Sequence, residues 1–192
     1  MSLPTSMASD NEVIAVTRSW LERVVIGLGL CPFAKPVHVK GQIRYFVSRA
    51  KTPEELLLDL LGELSLLSAA DPALTDTTLL IHPDALADFL DYNDFLSVAD
   101  AALDDLQLTG ELQIAGFHPH YQFAGNSAED PANFCNRSPY PMLHLLREAS
   151  VDRAVAAFPD AQSIVNKNIT TLRTLGHEGI LLLLAAVMRE ES

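Results

Sequence analysis

Titratable and anion-binding side chains gather in one stretch, residues 116–148, which holds His118, His120 and His144 of the six histidines, Arg137, Arg147 and Cys135, and three acidic residues. If extended geometry continues through Pro119, His118 and His120 point to one side of a strand that ends near Phe117. Two imidazoles facing one space offer three chemistries: divalent metal ligation, general acid–base work, or hydrogen bonding in a polar cleft. As a metal pair, His118 and His120 take Cys31 or His144 as the third ligand. Ser138 is a suitable N-cap and Pro139 a suitable first helical residue, so the sequence predicts a helix over residues 138–149 with its positive end beside Arg137. On that helix Tyr140, His144, Arg147 and Glu148 share one face, and Arg137, Ser138, Tyr140 and Arg147 form an anion site. Cys31, before Pro32, is a nucleophile, a ligand or a small buried hydrophobe. The expectation is that Cys31, His118, His120, Arg137 and His144 line one concavity.

The elements that must position these groups follow from periodicity. Apolar residues at Val13, Val16, Trp20, Val24 and Leu28 read as a helix over residues 12–30, closed by Cys31-Pro32. Residues 42–48 alternate as a strand. Thr52-Pro53-Glu54-Glu55 opens a helix over residues 53–67 with a cap and a proline at its first position. Residues 77–82 and 112–117 read as strands, and residues 84–107 as a helix with a break near Tyr92-Asn93. Helices over 150–158, 163–175 and 178–190 complete the chain, with Gly176 between the last two. The order strand, helix, strand, helix, strand makes this an α/β (or α+β) protein with a small layered βαβαβ core sheet of three to four strands and additional N- and C-terminal helices. Residues 1–11 read as a mobile tail and 12–190 as a single α/β domain.

Composition excludes several classes. The chain has 192 residues, 48% of them apolar, and a net charge of −12, which is the wrong sign for neutralising nucleic-acid phosphates or an anionic membrane. Eight acidic residues between Asp84 and Glu111, with no lysine or arginine, read as a solvated helical face. Two cysteines cannot build a disulfide framework, so Cys31 and Cys135 are expected as reduced thiols in a cytoplasmic protein. The longest apolar run, residues 180–188, is shorter than a membrane span requires. No glycine-rich phosphate loop, dinucleotide fingerprint or nucleophile elbow is present, so a nucleotide cofactor has no signal and a divalent metal stays open.

Four stretches, Gly29-Leu30-Cys31-Pro32-Phe33, Leu90-Asp91-Tyr92-Asn93-Asp94-Phe95, Phe117-His118-Pro119-His120-Tyr121-Gln122-Phe123 and Asn136 to Glu148, resemble the bacterial family DUF1415 over residues 12–176. The resemblance implies no activity, cofactor or catalytic residue. Two functions follow from the residues themselves. One is an enzyme, a hydrolase or group transferase acting on a small anionic substrate through His118, His144 and Cys31, with or without metal. The other is a non-catalytic module that binds a metabolite, a metal or a partner protein through the same groups.

Overall fold

The computed structural model describes residues 8–157 and 161–189. The first helix, α1 (Asp10–Trp20), starts earlier than the hydrophobic periodicity indicates. Ser9 forms a capping box with Glu12, so residues expected in a mobile tail belong to the helix; residues 1–7 lie outside the described part. Its continuation, Leu21–Ile26, widens to π-type bonding, in which Gly27 N–H donates to Glu22 O at 2.9 Å and Leu30 N–H to Val25 O at 2.9 Å. A short α2 (Ala34–Val39) leads into β1 (Ile43–Val47).

The next elements follow the sequence reading closely. Thr52 caps α3 (Pro53–Ala69), β2 is Thr77–Ile81, and β3 is Leu112–Phe117. Between the last two, α4 (Phe89–Asp105) is continuous through Tyr92 and Asn93, because its cap is Asp88, whose carboxylate accepts from Leu90 N–H and Asp91 N–H.

The main departure follows β3. Residues expected as a helix over 138–149 form strand β4 (Met142–Arg147) instead. Pro141 forces Tyr140 away from the α region, and the flanking Pro139 does the same to Ser138, so the chain arrives extended. The run Met142-Leu143-His144-Leu145 is apolar on both sides and fits a central strand buried on both faces. Here burial overrides the helix propensity of leucine.

The sheet order is β1-β2-β4-β3, with β1 parallel to β2 and β4 antiparallel to both its neighbours. Strands β1, β2 and β3 therefore all end at one edge of the sheet, although the direct partner of β3 runs against it. We call this the carboxyl edge and the opposite one the amino edge. On one face α3 and α4 pack Leu60, Leu64, Leu67, Tyr92 and Phe95 against Leu80, Leu143 and Leu145. On the other face α1 and α6 (Ala161–Arg189) pack Val16, Trp20, Leu172, Ile180 and Val187 against Leu79, Ile81 and Met142. The helix α5 (Glu148–Ala157) follows β4 directly; Phe158, its expected end, lies outside the described residues.

By length and composition the stretch Ser163–Arg189 is apolar enough to cross a membrane. Gly176, at φ 72 and ψ 164, breaks it into two arms, each about 20 Å long at about 1.5 Å per residue, against the roughly 30 Å of a hydrocarbon core. Both arms are packed in the second core through Leu172 and Ile180.

Tyr92 ties α4 to the centre of this arrangement, since its hydroxyl donates to Met142 O at 2.9 Å and a Cβ placed on Gly116 would sit 2.6 Å from the Tyr92 hydroxyl oxygen. Gly116→Ala is expected to cost about 1–3 kcal/mol in urea unfolding. In a Tyr92→Phe background the added methyl meets no hydroxyl, so the penalty should fall by at least half. Equal penalties in both backgrounds would show that the close approach to Tyr92 is not what requires glycine.

Candidate functional site

At the amino edge, β4 delivers Arg147 onto the same face as Leu143 and Leu145, beneath the end of α3. Its Nη2 donates to Leu67 O, to Ala70 O at 2.7 Å and to Thr75 O at 3.4 Å. These carbonyls belong to or follow a helix with no basic residue in its last turn, where the backbone leaves orphan acceptors and a partial negative charge. Arg147 is 8% exposed, and its Nε is buried without a hydrogen-bond partner. Among the described residues no carboxylate lies within ion-pair distance of it.

Arg147 lines a cleft of about 240 Å³ together with Pro72, Gly110, Glu111, Ala149, Ser150 and Arg153. The first turn of α5 opens on it, so amides that no helix carbonyl can reach lie beside two guanidinium groups. The polar side chains are held in place. Ser150 Oγ donates to Asp76 Oδ1 at 2.6 Å and accepts from Arg153 Nη2 at 2.9 Å. Glu111 anchors the rim, accepting from Ser68 Oγ at 2.6 Å and, through its backbone carbonyl, from Glu148 N–H at 2.9 Å. Gly110 turns the chain into β3 at φ +84.

The carboxyl edge collects imidazoles instead, and it holds them as structure. His118 and His82 are both fully buried. The chain turns after His118, with Tyr121 N–H donating to His118 O, so the strand alternation expected through Pro119 does not occur. His118 Nε2 donates to Leu86 O at 3.1 Å, and its Nδ1 accepts from His120 N–H at 3.0 Å, which assigns the neutral Nε2–H tautomer and uses both nitrogens. Burial lowers its pKa. The metal pair of His118 and His120 is therefore corrected: the His118 lone pair is already taken by backbone, and among the described residues no three His, Cys, Asp or Glu groups gather as a metal site. His82 Nδ1 donates to Ala85 O at 3.0 Å, while its Nε2 is buried without a partner. The Tyr92 ring lies between the two histidines, 5.9 Å from His82 and 5.0 Å from His118.

The remaining expected site residues are dispersed. His144 projects from the opposite face of β4 to Leu143 and Arg147, so the sheet separates it from His118, and the single concavity is overturned. Its Nε2 donates to Thr77 Oγ1 at 2.7 Å, and the Thr77 hydroxyl donates in turn to Leu145 O. Burial pushes His144 down to about 4. Cys31 follows Leu30 of the second core and Cys135 packs against that core, and burial raises both thiols above their ordinary pKa. Arg137 clamps the loop before β4, donating from Nε to Tyr121 O at 3.0 Å and from Nη2 to Ala128 O at 2.6 Å, with its guanidinium 4.7 Å from the Phe134 ring centroid. Ser138 caps no helix; its Oγ donates to Tyr140 O at 2.7 Å. Tyr140 packs against the second core, and burial raises its hydroxyl pKa. The anion site built from Arg137, Ser138, Tyr140 and Arg147 is thus split across both edges of the sheet.

Of the expected site residues Arg147 alone lines the amino-edge cleft, beside Ser150 and Arg153, which the sequence reading does not single out. The signal for them was present. A helix starting directly after Arg147 puts the serine and the second arginine in its first two turns. His82, also missed, carries no local signal beyond its proline.

A family model described as a protein of unknown function, DUF1415, matches residues 12–181, and the chain belongs to that family. No curated protein and no solved structure matches the chain.

The buried imidazoles set a pH dependence. Burial lowers His82 to about 4, whereas an unfolded imidazole protonates near 6.5, so across this window the unfolded state binds the additional proton. Stability is then full above about pH 6.5 and falls as the pH drops towards 4, by up to about 3 kcal/mol for His82. Urea unfolding is expected to show the loss between pH 7 and pH 5, where few carboxylates titrate. The His82→Asn variant should reduce that slope, with His144 supplying the remainder, even where it lowers stability at pH 7. A flat profile in the unmodified protein would mean that His82 is charged or solvated in the native state.

Proposed function

We propose that this DUF1415 family member is a non-catalytic binding module that holds a small phosphate- or carboxylate-bearing anion in the amino-edge cleft. One observation carries the reading: Arg147 is a buried cation that lines the cleft with no carboxylate paired to it among the described residues. A guanidinium remains charged at any accessible pH, and burying it without a counter-charge is costly. The end of α3 supplies only about half an elementary negative charge, so a positive remainder faces the cleft. Arg153 adds to that remainder, while Glu111 in the lining and Asp76, bonded to Ser150 Oγ, subtract from it, so the pull on an anion is local to the two guanidinium groups.

Size and chemistry point the same way. The cleft, about 240 Å³, is smaller than the roughly 300–1,000 Å³ typical of sites for drug-sized ligands. Its lining has neither imidazole nor thiol, which supports binding over turnover. Charge-assisted hydrogen bonds contribute about 1.5–3 kcal/mol each, so two arginines give a dissociation constant in the micromolar to millimolar range. The two unpaired cysteines suit a reducing cytosol, which is where we place the protein.

Titration with inorganic phosphate and small dicarboxylates, followed by amide chemical shifts, tests the site. The expected result is saturable movement of the Ala149, Ser150 and Arg153 amides. Arg153→Glu, on the exposed side of α5, should weaken binding tenfold or more without altering the fold. Arg153→Lys should retain part of it, since a point charge replaces a fork. Arg137→Ala should leave it unchanged. Shifts confined to other regions, or no response at millimolar anion, would reject the proposal.

A further inference from the structure

The second arm of α6, residues 177–189, has two apolar faces and only one of them is used inside the chain. Ile180, Leu183, Leu184 and Val187 turn inward, with Ile180 and Val187 fully buried in the second core. Leu182 is 63% exposed and Leu181 47% on the outer side. An isolated exposed leucine needs no explanation, but these two adjoin a patterned stripe. Glu178, Leu182, Ala185 and Arg189 recur at spacings of four, three and four, which at about 100° per residue places them within roughly 60° of arc. That is the repeat of a helix–helix seam, apolar in the middle and oppositely charged at its two ends.

We propose that this face docks on a second copy of the same chain as an antiparallel helix pair about a two-fold axis. In an isologous contact each residue meets its symmetry counterpart's partner. Centring the axis between residues 183 and 184 brings Glu178 against the partner's Arg189 and Leu182 against the partner's Ala185. Both charge pairs form at once, and both leucines meet an alanine small enough to let the helices approach closely. A parallel pair would set Glu178 against Glu178 and Arg189 against Arg189, so the charges select the antiparallel arrangement. The net charge of −12 disfavours an anionic membrane as the alternative occupant of the face. An arm about 20 Å long gives an interface at the low end of specific contacts, under roughly 1,200 Å², so the dimer is weak and concentration-dependent.

Sedimentation equilibrium on the full chain tests the pairing. The expected result is a monomer–dimer equilibrium at micromolar concentrations. Glu178→Arg and Arg189→Glu should each weaken it at least fivefold by setting like charges together, while the double exchange restores the original association. Leu182→Glu should leave monomer only, with an unchanged circular dichroism spectrum. A chain that stays monomeric at several hundred micromolar would overturn the proposal. So would single charge variants that associate as the original does, or cosedimentation with anionic vesicles in place of self-association.

Discussion

The architecture depends on β4 reaching the gap between β2 and β3. Without it the amide and carbonyl rows of both strands would be open, and two stacked cores would have no common floor. Its pairing partners are far away in sequence, Leu146 meeting Thr77 and Leu145 meeting Ile114, so the closing contacts span a large loop. Residues 118–141 make the return journey, and side chains replace a ladder along it. Asn133, fully buried, accepts from Phe123 N–H at 3.1 Å and donates to Ser127 O at 2.8 Å, while Asn136 donates to Gly116 O at 3.0 Å. Arg137 completes the set. A loop tied by this many side-chain bonds to backbone delivers Met142 to one register.

The same strand explains how an acidic protein uses its few inner cations. Arg44 forms a two-bond fork with Glu63 at 2.7 and 2.9 Å between β1 and α3. Arg137 and Arg147, one before β4 and one at its end, take backbone carbonyls instead of carboxylates. The planar guanidinium suits that task, since several donors diverge from one rigid group, whereas an ammonium would satisfy fewer carbonyls at once. The difference between the two sites lies in their surroundings. Arg137 faces a ring and a loop of its own making. Arg147 faces a cleft with a second arginine and the start of a helix.

Much of the fold was legible because local signals were strong and agreed with the tertiary result. Thr52-Pro53 marked α3, and Gly176 marked the break in α6. β4 was not legible from its interior, since Met142-Leu143-His144-Leu145-Leu146 suits a buried helix as well as a buried strand. The two prolines at 139 and 141 were the available arbiter, and their effect on the preceding residues outweighs the capping value of Ser138. That one exchange of strand for helix moved the candidates expected on residues 138–149. A helix puts residues 140, 144 and 147 on one face; a strand puts 144 and 147 on opposite faces. The histidine pair failed for a second reason, a turn at Pro119 that no periodicity contains. Arg147 reaches the cleft from a strand and not from the expected helix, and Arg153 carries no signal while the helix over 150–158 is read as following another helix instead of opening beside Arg147.

Arg147 also limits how the amino-edge site can be separated from the fold. Its Nη2 holds the end of α3 through three carbonyls, and its unpartnered Nε adds the cost of a buried donor. The group therefore pins a helix by itself, and an anion of the kind proposed would meet a charge already desolvated and oriented. Preorganisation of this kind reduces what binding must spend on immobilising a long side chain. It also means that removing Arg147 tests the helix and the site together. Arg153 stands on the exposed side of α5 and contacts only Ser150 among the hydrogen bonds described, so the charge of the cleft can be changed there with α3 still fastened.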